Sequence, residues 1–280
     1  MSTFVTPPLL WALVVVGGVL GLAVGSFLNV VAYRLPAGGS LAAPPSACPD
    51  CGAAIRPFDN IPVVSWLLLR GRCRDCREPI SARYPIVEAL TGLLFLAVAL
   101  RFVPGVVSGR HPVSGVLTLI AFLYFAAISV ALALIDIDTH TLPNRIVLPA
   151  YAVGGVPLIL SLMIAADWEG VVSALVGAAG LFAFYLLLAL ARPGGMGFGD
   201  VKLAGVIGLY LGSLGWAQLM IGGFAAFVLG GVFGIALALA RRVTRRSGIP
   251  FGPWMLAGAW IGIFAGGLIW ESYLALIGLG

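Results

Sequence analysis

The sequence predicts an all-α, polytopic membrane protein with about eight transmembrane helices and one sizeable polar loop. Of its residues, 61% are hydrophobic and 10% are charged, and the mean hydropathy is +1.09. A soluble domain usually carries about 25% charged residues. Because unpaired backbone groups are costly in lipid, long apolar runs are expected to form helices. The first run has no basic residue before it and no cleavage pattern, so we predict a retained helix rather than a signal peptide.

Six apolar runs have the length of one transmembrane helix, and a seventh run is too long for one helix. The long run, residues 203–240, contains no charged residue, and its length as one helix exceeds a bilayer core about 30 Å thick. It is therefore expected to fold back on itself. A turn at Gly222 and Gly223 is preferred to one at residues 212–215, because it leaves two halves of spanning length. The six single spans are predicted at residues 9–32, 86–104, 114–135, 146–166, 170–191 and 253–277.

The basic residues predict the orientation of these helices. With residue 1 outside, 14 of the 16 lysine and arginine residues fall in inner segments, and only Arg101 and Arg110 fall outside. Cytoplasmic loops carry such an excess of positive charge. The basic cluster at 241–246 stays inside only if residues 203–240 form two spans. Topology and contact with membrane lipid thus explain the net charge of +5, and no nucleic-acid partner is expected.

All four cysteine residues lie in one loop, residues 33–85, which this orientation places in the cytoplasm. They form two C-x-x-C pairs separated by 21 residues. Disulfides are disfavoured in a reducing compartment, and two such pairs are typical of a tetrahedral zinc site with no open position for substrate. We therefore expect structural Zn²⁺ in a zinc-ribbon-like loop, with a redox pair or free thiols as the alternatives. The predicted metal ligands are Cys48, Cys51, Cys73 and Cys76.

Three carboxylates stand at the predicted cytoplasmic ends of apolar runs: Asp136, Asp138 and Asp200. Acidic residues at membrane depth are costly and are usually functional. In a helix, Asp136 and Asp138 point in different directions, so only one of them can readily share a site with Asp200. Asp136 is preferred because it directly follows an unbroken apolar run.

Asp200 follows a glycine-rich stretch, GGMGFG, and precedes an apolar run. One explanation is an N-cap for a helix that begins near Val201, where backbone N–H groups stabilise a carboxylate. However, the four glycines exceed what a cap requires, and glycine lets a substrate chain approach closely. Two neighbouring carboxylates cannot both ionise easily, which is the basis of an aspartic protease dyad. The residues therefore predict that Asp136 and Asp200 are a catalytic pair.

Several other positions have structural explanations. Asn144 is predicted to cap the fourth span. Asn29 is expected to form an interhelical hydrogen bond, with a place in the site as the alternative. The spacing of Gly17, Gly21 and Gly25 predicts close packing of the first helix against a neighbour.

Ordered motifs over most of the chain resemble those of bacterial type IV prepilin peptidases, which are membrane aspartic proteases of the GxGD class. GFGD alone is a weak signal, whereas the ordered set with this topology is specific. One departure is Asn144, where many members of the family carry Asp. The motifs are GSFLNVVAYRLP at 25–36, the two C-x-x-C pairs, NIPVVSWLLLRGRCRDC at 60–76, SARYPIVEALTG at 81–92, LIDIDTHTLPN at 134–144, GGMGFGDVKL at 194–203 and IPFGPWMLAGA at 249–259.

The resemblance implies a peptidase that removes the short basic leader of prepilins or pseudopilins. In this family the cut follows a glycine, at the cytoplasmic face of the bacterial inner or plasma membrane. The family's catalytic aspartates fall on Asp136 and Asp200, in agreement with the choice made from the residues. Many members also methylate the new N-terminal amine with S-adenosylmethionine, so this second activity and cofactor are expected if the chain retains them.

Three other functions fit single features of the sequence. Membrane carboxylates also serve ion-coupled transporters, C-x-x-C pairs serve membrane thiol oxidoreductases, and a zinc loop fits a non-enzymatic assembly anchor. For the peptidase, the expected organisation is a first transmembrane helix at 1–32, the cytoplasmic Cys₄ loop at 33–85 and a transmembrane peptidase domain at 86–280.

Overall fold

The regular secondary structure of the protein is helical, which confirms the predicted all-α class. The computed structural model describes residues 7–192, 196–240 and 250–278, and within these residues it contains no β-strand, only two isolated β-bridges. The helices are α1 (Pro7–Arg34), α2 (Val64–Leu68), α3 (Arg83–Ser108), α4 (Pro112–Thr139), α5 (Asn144–Val153), α6 (Gly155–Ile164), α7 (Trp168–Ala191), α8 (Phe198–Gly212), α9 (Trp216–Leu239) and α10 (Gly252–Leu276).

Seven helical segments in the described part of the chain are long and apolar enough to cross a membrane. They are α1, α3, α4, the α5–α6 pair, α7, α9 and α10. The eighth predicted span forms α8, whose 15 residues rise only about 22 Å. The chain is thus a multi-pass membrane protein, and its described part contains seven helical segments of membrane length together with the shorter apolar helix α8.

The turn within the long apolar run lies at residues 213–215, so the preferred position at Gly222 and Gly223 is wrong. Gly215 has a φ of +122°, a conformation that residues with a side chain rarely adopt. Gly222 is instead buried within α9, where an added Cβ atom would lie 2.7 Å from the side chain of Leu211. Glycine at this position allows close helix packing, a role that the sequence alone does not distinguish from a turn.

The chain forms two compact units. Helix α4 contributes residues to both of them. The first unit contains Met1–Pro112 and Phe122–Ala131, and the second contains Val113–Ala121 and Leu132–Gly280.

In the first unit, α1 packs closely against α3 through the predicted glycine stripe. Cβ atoms added at Gly21 and Gly25 would lie 2.6 Å from Cβ of Phe95 and 2.8 Å from Cα of Glu88. The side-chain amide of Asn29 donates a hydrogen bond to the backbone oxygen of the α3 residue Tyr84 at 3.3 Å. The packing role of the glycines and the interhelical role of Asn29 are therefore both confirmed.

In the second unit, α8 is surrounded by other helices, namely α5, α6, α7, α9 and α10. Every residue from Leu203 to Gly212 is buried. The hydroxyl group of Tyr210 donates a hydrogen bond to the backbone oxygen of Ala121 at 3.0 Å. Protein rather than lipid therefore covers α8, and the first turn of this helix carries Asp200 into the unit.

Gly208→Ala is expected to destabilise the second unit, because α7 and α8 touch backbone to backbone at this position. A Cβ atom at residue 208 would overlap the carbonyl oxygen of Gly177 and lie 3.0 Å from Cα of Ala178. Overpacking of this kind costs about 1–3 kcal/mol, so the detergent-solubilised variant should melt at a lower temperature than the parent. Gly180→Ala, on α7 with open space at its Cβ position, is the matched control. Equal melting temperatures for the two variants would contradict this account of the packing.

Two predicted features lie outside the described residues. One is the basic cluster of Arg241, Arg242, Arg245 and Arg246, and the other is the glycine pair Gly194 and Gly195.

Candidate active site and cysteine cluster

Asp136 lies near the end of α4 and is buried, with 4% of its surface exposed. Its Oδ2 atom accepts a hydrogen bond from the backbone N–H of Gly252, the first residue of α10, at 3.0 Å. Because α4 continues to Thr139, Asp138 faces another direction and is exposed. Of the two neighbouring aspartates, Asp136 is therefore the one that lies in the protein interior.

Asp200 is the third residue of α8, so the alternative explanation of this residue as an N-cap is wrong. The N-cap is Gly197, whose backbone is extended with φ −76° and ψ 146°. The N–H of Gly197 donates to Oδ2 of Asp200 at 3.2 Å, and the carbonyl oxygen of Gly197 accepts the N–H of Asp200 at 3.0 Å. A carboxylate at the third position can reach back to the first N–H groups of its helix, which is why the helix begins earlier than the apolar pattern indicates.

Asp136 and Asp200 lie in the same unit and interact electrostatically. Leu142, in the turn after α4, is packed against two glycines that neighbour them. Cβ atoms added at Gly199 and Gly252 would lie 2.8 Å and 3.3 Å from the side chain of Leu142. Glycine at both positions thus lets the first turns of α8 and α10 approach the end of α4. The structure brings the two sequence-predicted aspartates into one site at the ends of three helices.

Two aromatic residues of this site were not identified from the sequence pattern. Tyr185 on α7 is buried and interacts electrostatically with Asp200. Phe251 directly precedes Gly252, and its ring centroid lies 6.3 Å from that of Tyr185 and 5.5 Å from that of Phe227. Two features of the sequence could have indicated these residues. Tyr185 places a hydroxyl group within an apolar run, and Phe251 precedes a Gly-Pro pair at the start of a span. The aromatic rings pack beside the backbone that donates to Asp136.

Asn144 does not cap α5, so that prediction is wrong. The N-cap is Pro143, and Asn144 is the first helical residue. Its Oδ1 atom instead accepts a hydrogen bond from Nζ of Lys202 at 2.9 Å. The hydroxyl group of Tyr151 donates to the backbone oxygen of Lys202 at 2.7 Å. These two hydrogen bonds fix the first turns of α8, and hence Asp200, to α5.

The four cysteines of the first unit form one cluster. Their sulfur atoms all lie within 4.8 Å of one another, and Sγ of Cys48 lies 3.7 Å from Sγ of Cys76. Four sulfur atoms bound to zinc at about 2.3 Å in a tetrahedron lie about 3.8 Å apart. The cluster therefore has the donor set and the dimensions that can hold Zn²⁺.

Each cysteine pair lies on a tight hairpin that an isolated β-bridge closes. In both hairpins the residue after the second cysteine has a positive φ, +70° at Gly52 and +64° at Arg77. Arg74, between the two cysteines of the second hairpin, forms an ion pair with Asp59, in which Nη2 lies 2.6 Å from Oδ1. The guanidinium holds the pKa of the Asp59 carboxyl below its usual value. The paired hairpins are typical of zinc ribbons.

Cys48→Ser/Cys51→Ser is expected to abolish stoichiometric zinc binding, because it removes two of four ligands. Elemental analysis of the purified chain should find about one zinc ion per wild-type chain and almost none in the variant. Asp50→Asn, between the two cysteines, leaves all four sulfur donors in place and should retain zinc. A double variant with the wild-type zinc content would contradict the assignment.

Two family models match the chain. Residues 19–102 match the Bacterial Peptidase A24 N-terminal domain, and residues 116–235 match the Type IV leader peptidase family. The first range contains the cysteine cluster, and the second contains Asp136 and Asp200.

Curated relatives match nearly the whole chain. A protein of Aeromonas hydrophila is 37% identical over 278 residues, which cover 90% of this chain and 91% of the relative. Relatives from Pseudomonas putida and Burkholderia pseudomallei (strain 1026b) are 35% and 36% identical, and the matches cover 93% and 89% of this chain and 93% and 84% of theirs. All three are named prepilin leader peptidase/N-methyltransferase. No solved structure matches significantly. Since this identity extends over most of both chains, the protein belongs to the type IV leader peptidase family.

Proposed function

We propose that this chain is a membrane aspartic endopeptidase that removes the leader peptide from type IV prepilins or pseudopilins. The observation that carries the proposal is the placement of two carboxylates, Asp136 and Asp200, at neighbouring helix ends within one unit of a membrane protein. Membership of the type IV leader peptidase family supports the same reaction.

The two aspartates have complementary roles in this proposal. Interacting carboxylates cannot both ionise easily, so the pair holds one proton between its members and titrates as a unit. The ionised member takes a proton from a water molecule, whose oxygen attacks the carbonyl carbon of the scissile bond. The protonated member donates to the carbonyl oxygen, where negative charge develops. The C–N bond then breaks, and the departing amine receives a proton from the pair.

Groups around the pair position these carboxylates. Gly252 donates to Oδ2 of Asp136, and we assign contact with water to the other oxygen, Oδ1. Gly197 donates to Oδ2 of Asp200. Each aspartate is thus oriented by a backbone N–H, which pre-arranges its other oxygen for proton transfer.

The active site is proposed to lie at the cytoplasmic side of a bacterial inner or plasma membrane, with the N-terminus outside. The concentration of basic residues in the predicted inner segments supports this orientation. A prepilin would then leave its basic leader in the cytoplasm and its apolar segment in the bilayer. The cut lies between them, at the level of the membrane edge, and acidic side chains there attract the leader.

Two cofactors belong to the proposal. Structural Zn²⁺ would be held by Cys48, Cys51, Cys73 and Cys76, whose arrangement supports this role. S-adenosylmethionine would supply the methyl group for the new N-terminal amine, an activity that the printed name of the relatives supports. No residue is assigned to this second cofactor.

The experiment is to co-express the chain with a prepilin in membranes and to measure the substrate by intact mass. Loss of the leader peptide is expected, with a further increase of one methyl group where methylation occurs. If the prepilin kept its leader in membranes that contain the correctly inserted chain, the peptidase proposal would be wrong. The favoured functions would then be ion-coupled transport through Asp136 and Asp200, or thiol oxidation by the cysteine pairs.

A further inference from the structure

The loop between α1 and α3 carries a short amphipathic helix whose apolar side is exposed. In α2, Leu67 and Leu68 expose 61% and 78% of their surface, and Val64 exposes 48%. The other side of α2 is fixed to the protein. Ser65 is buried there, and its hydroxyl group donates to the backbone oxygen of Phe58 at 2.9 Å. Exposed apolar side chains grouped on a fixed element indicate a contact surface for lipid or protein.

The start of α2 lies level with the membrane-spanning part of α3. Glu88 is buried in α3, and its Oε2 atom accepts the N–H of Val63 at 2.7 Å. Since α3 begins at Arg83, Glu88 lies about 7.5 Å along the helix from its start. Tyr33 near the end of α1 and Tyr84 at the start of α3 are exposed, and such aromatic residues mark the headgroup level. These contacts hold α2 at the membrane boundary rather than out in the aqueous phase.

A strained turn sets the direction of α2. Val63 has φ +61° and ψ −48°. The N–H of Val64 donates to the carbonyl oxygen of Pro62 at 2.6 Å, which makes this segment a γ-turn. Such a conformation is rare for a β-branched residue and persists only where its surroundings fix it. The carboxylate of Glu88 supplies that contact. In the middle of α2, Nε1 of Trp66 donates to the backbone oxygen of Ile80 at 3.0 Å.

Positive charge follows α2 in the chain. Arg70 and Arg72 lie two and four residues after the end of α2, and both are exposed. Within the described residues, the ion pairs of this loop use two other arginines, Arg56 and Arg74. An apolar strip bordered by arginines matches the boundary between acyl chains and anionic phospholipid headgroups.

We propose that α2 lies in the interface of the same bilayer that holds α1 and α3. Val64, Leu67 and Leu68 enter the acyl-chain boundary, and Arg70 and Arg72 contact anionic phospholipid headgroups. Because one cysteine hairpin precedes α2 and the other follows it, this contact anchors to the membrane the loop that carries the cysteine cluster. The proposal concerns the loop alone and does not depend on the peptidase activity.

The test is photo-crosslinking of the full-length, zinc-loaded chain in nanodiscs of phosphatidylcholine, with and without phosphatidylglycerol. The photoreactive residue replaces one side chain as Leu68→p-benzoylphenylalanine, and irradiation is expected to add the mass of one phospholipid. Asp50→p-benzoylphenylalanine is the control, at an exposed position between Cys48 and Cys51, and should give far less lipid adduct. Equal lipid yields at the two positions, or a residue-68 adduct with a second protein chain instead of lipid, would overturn the proposal.

The charged part of the contact is tested in the same nanodiscs. Adding phosphatidylglycerol should raise the lipid adduct at position 68, and Arg70→Gln/Arg72→Gln should remove this rise. The expected difference is up to about fivefold for each arginine. An unchanged response to phosphatidylglycerol in the double variant would overturn the assignment of these arginines to the headgroups.

Discussion

Asp136→Asn and Asp200→Asn are each expected to reduce prepilin cleavage by about 10³-fold or more. Asparagine keeps the size of the side chain and an oxygen that can accept the hydrogen bond from Gly252 or Gly197. It cannot take a proton from water, and it cannot hold the shared proton of the pair. The measurement is the initial rate of leader removal from a prepilin co-reconstituted with each variant, followed by mass.

The matched control for this loss is Asp138→Asn. Asp138 lies two positions from Asp136 on the same helix but is exposed, whereas Asp136 is buried. The control should therefore keep most of the wild-type rate. Extraction of all three variants from the membrane in equal amounts would show that they insert. Equal losses in Asp136→Asn and Asp138→Asn would mean that the helix end matters and that the buried carboxylate has no special role.

The double cysteine variant separates the peptidase from a thiol oxidoreductase. If the cysteine cluster is structural, Cys48→Ser/Cys51→Ser should lose zinc and retain measurable cleavage, because the aspartate pair lies in the other unit. An oxidoreductase would show the opposite pattern, with activity that depends on the cysteines and survives the aspartate substitutions. The cleavage assay on the cysteine and aspartate variants therefore distinguishes a peptidase from an oxidoreductase.

The predicted dyad could be chosen from the sequence because a carboxylate at the end of an apolar run is energetically costly. Only three carboxylates stand at the predicted cytoplasmic ends of apolar runs. The preference for Asp136 over Asp138 needed only the helical period, and the burial of Asp136 agrees with it. The four cysteines could likewise be predicted as ligands of one metal site, since two C-x-x-C pairs at this spacing are typical of zinc sites.

Other features could not be predicted, because their partners lie far away in the chain. Gly252 donates to a carboxylate 116 positions earlier, and Lys202 engages Asn144 from a distance of 58 positions. Glycine was ambiguous for a different reason. Its missing side chain suits both a turn, as at Gly215, and close packing inside a helix, as at Gly222, and only the neighbours decide which role applies.

Gly252→Ala is expected to reduce cleavage by about 100-fold while the chain stays folded. A Cβ atom at this position would lie 2.7 Å from Oδ2 of Asp136 and 3.3 Å from the side chain of Leu142. Because Asp136 is buried, its carboxylate has little room to move, so α10 or the carboxylate must shift from its position. A shift of about 1 Å in a reacting group is enough for a loss of this size.

Gly231→Ala is the matched control for this substitution. It adds the same methyl group to a membrane-length helix, α9, at a position where the Cβ atom meets open space. Its cleavage rate should equal that of the wild type, and both variants should melt within a few degrees of it. If Gly252→Ala kept the wild-type rate, the backbone contact to Asp136 would have no part in orienting the carboxylate. If it lost activity only through unfolding, its melting temperature would fall with the rate. A rate loss at an unchanged melting temperature is therefore the result that ties the first turn of α10 to catalysis.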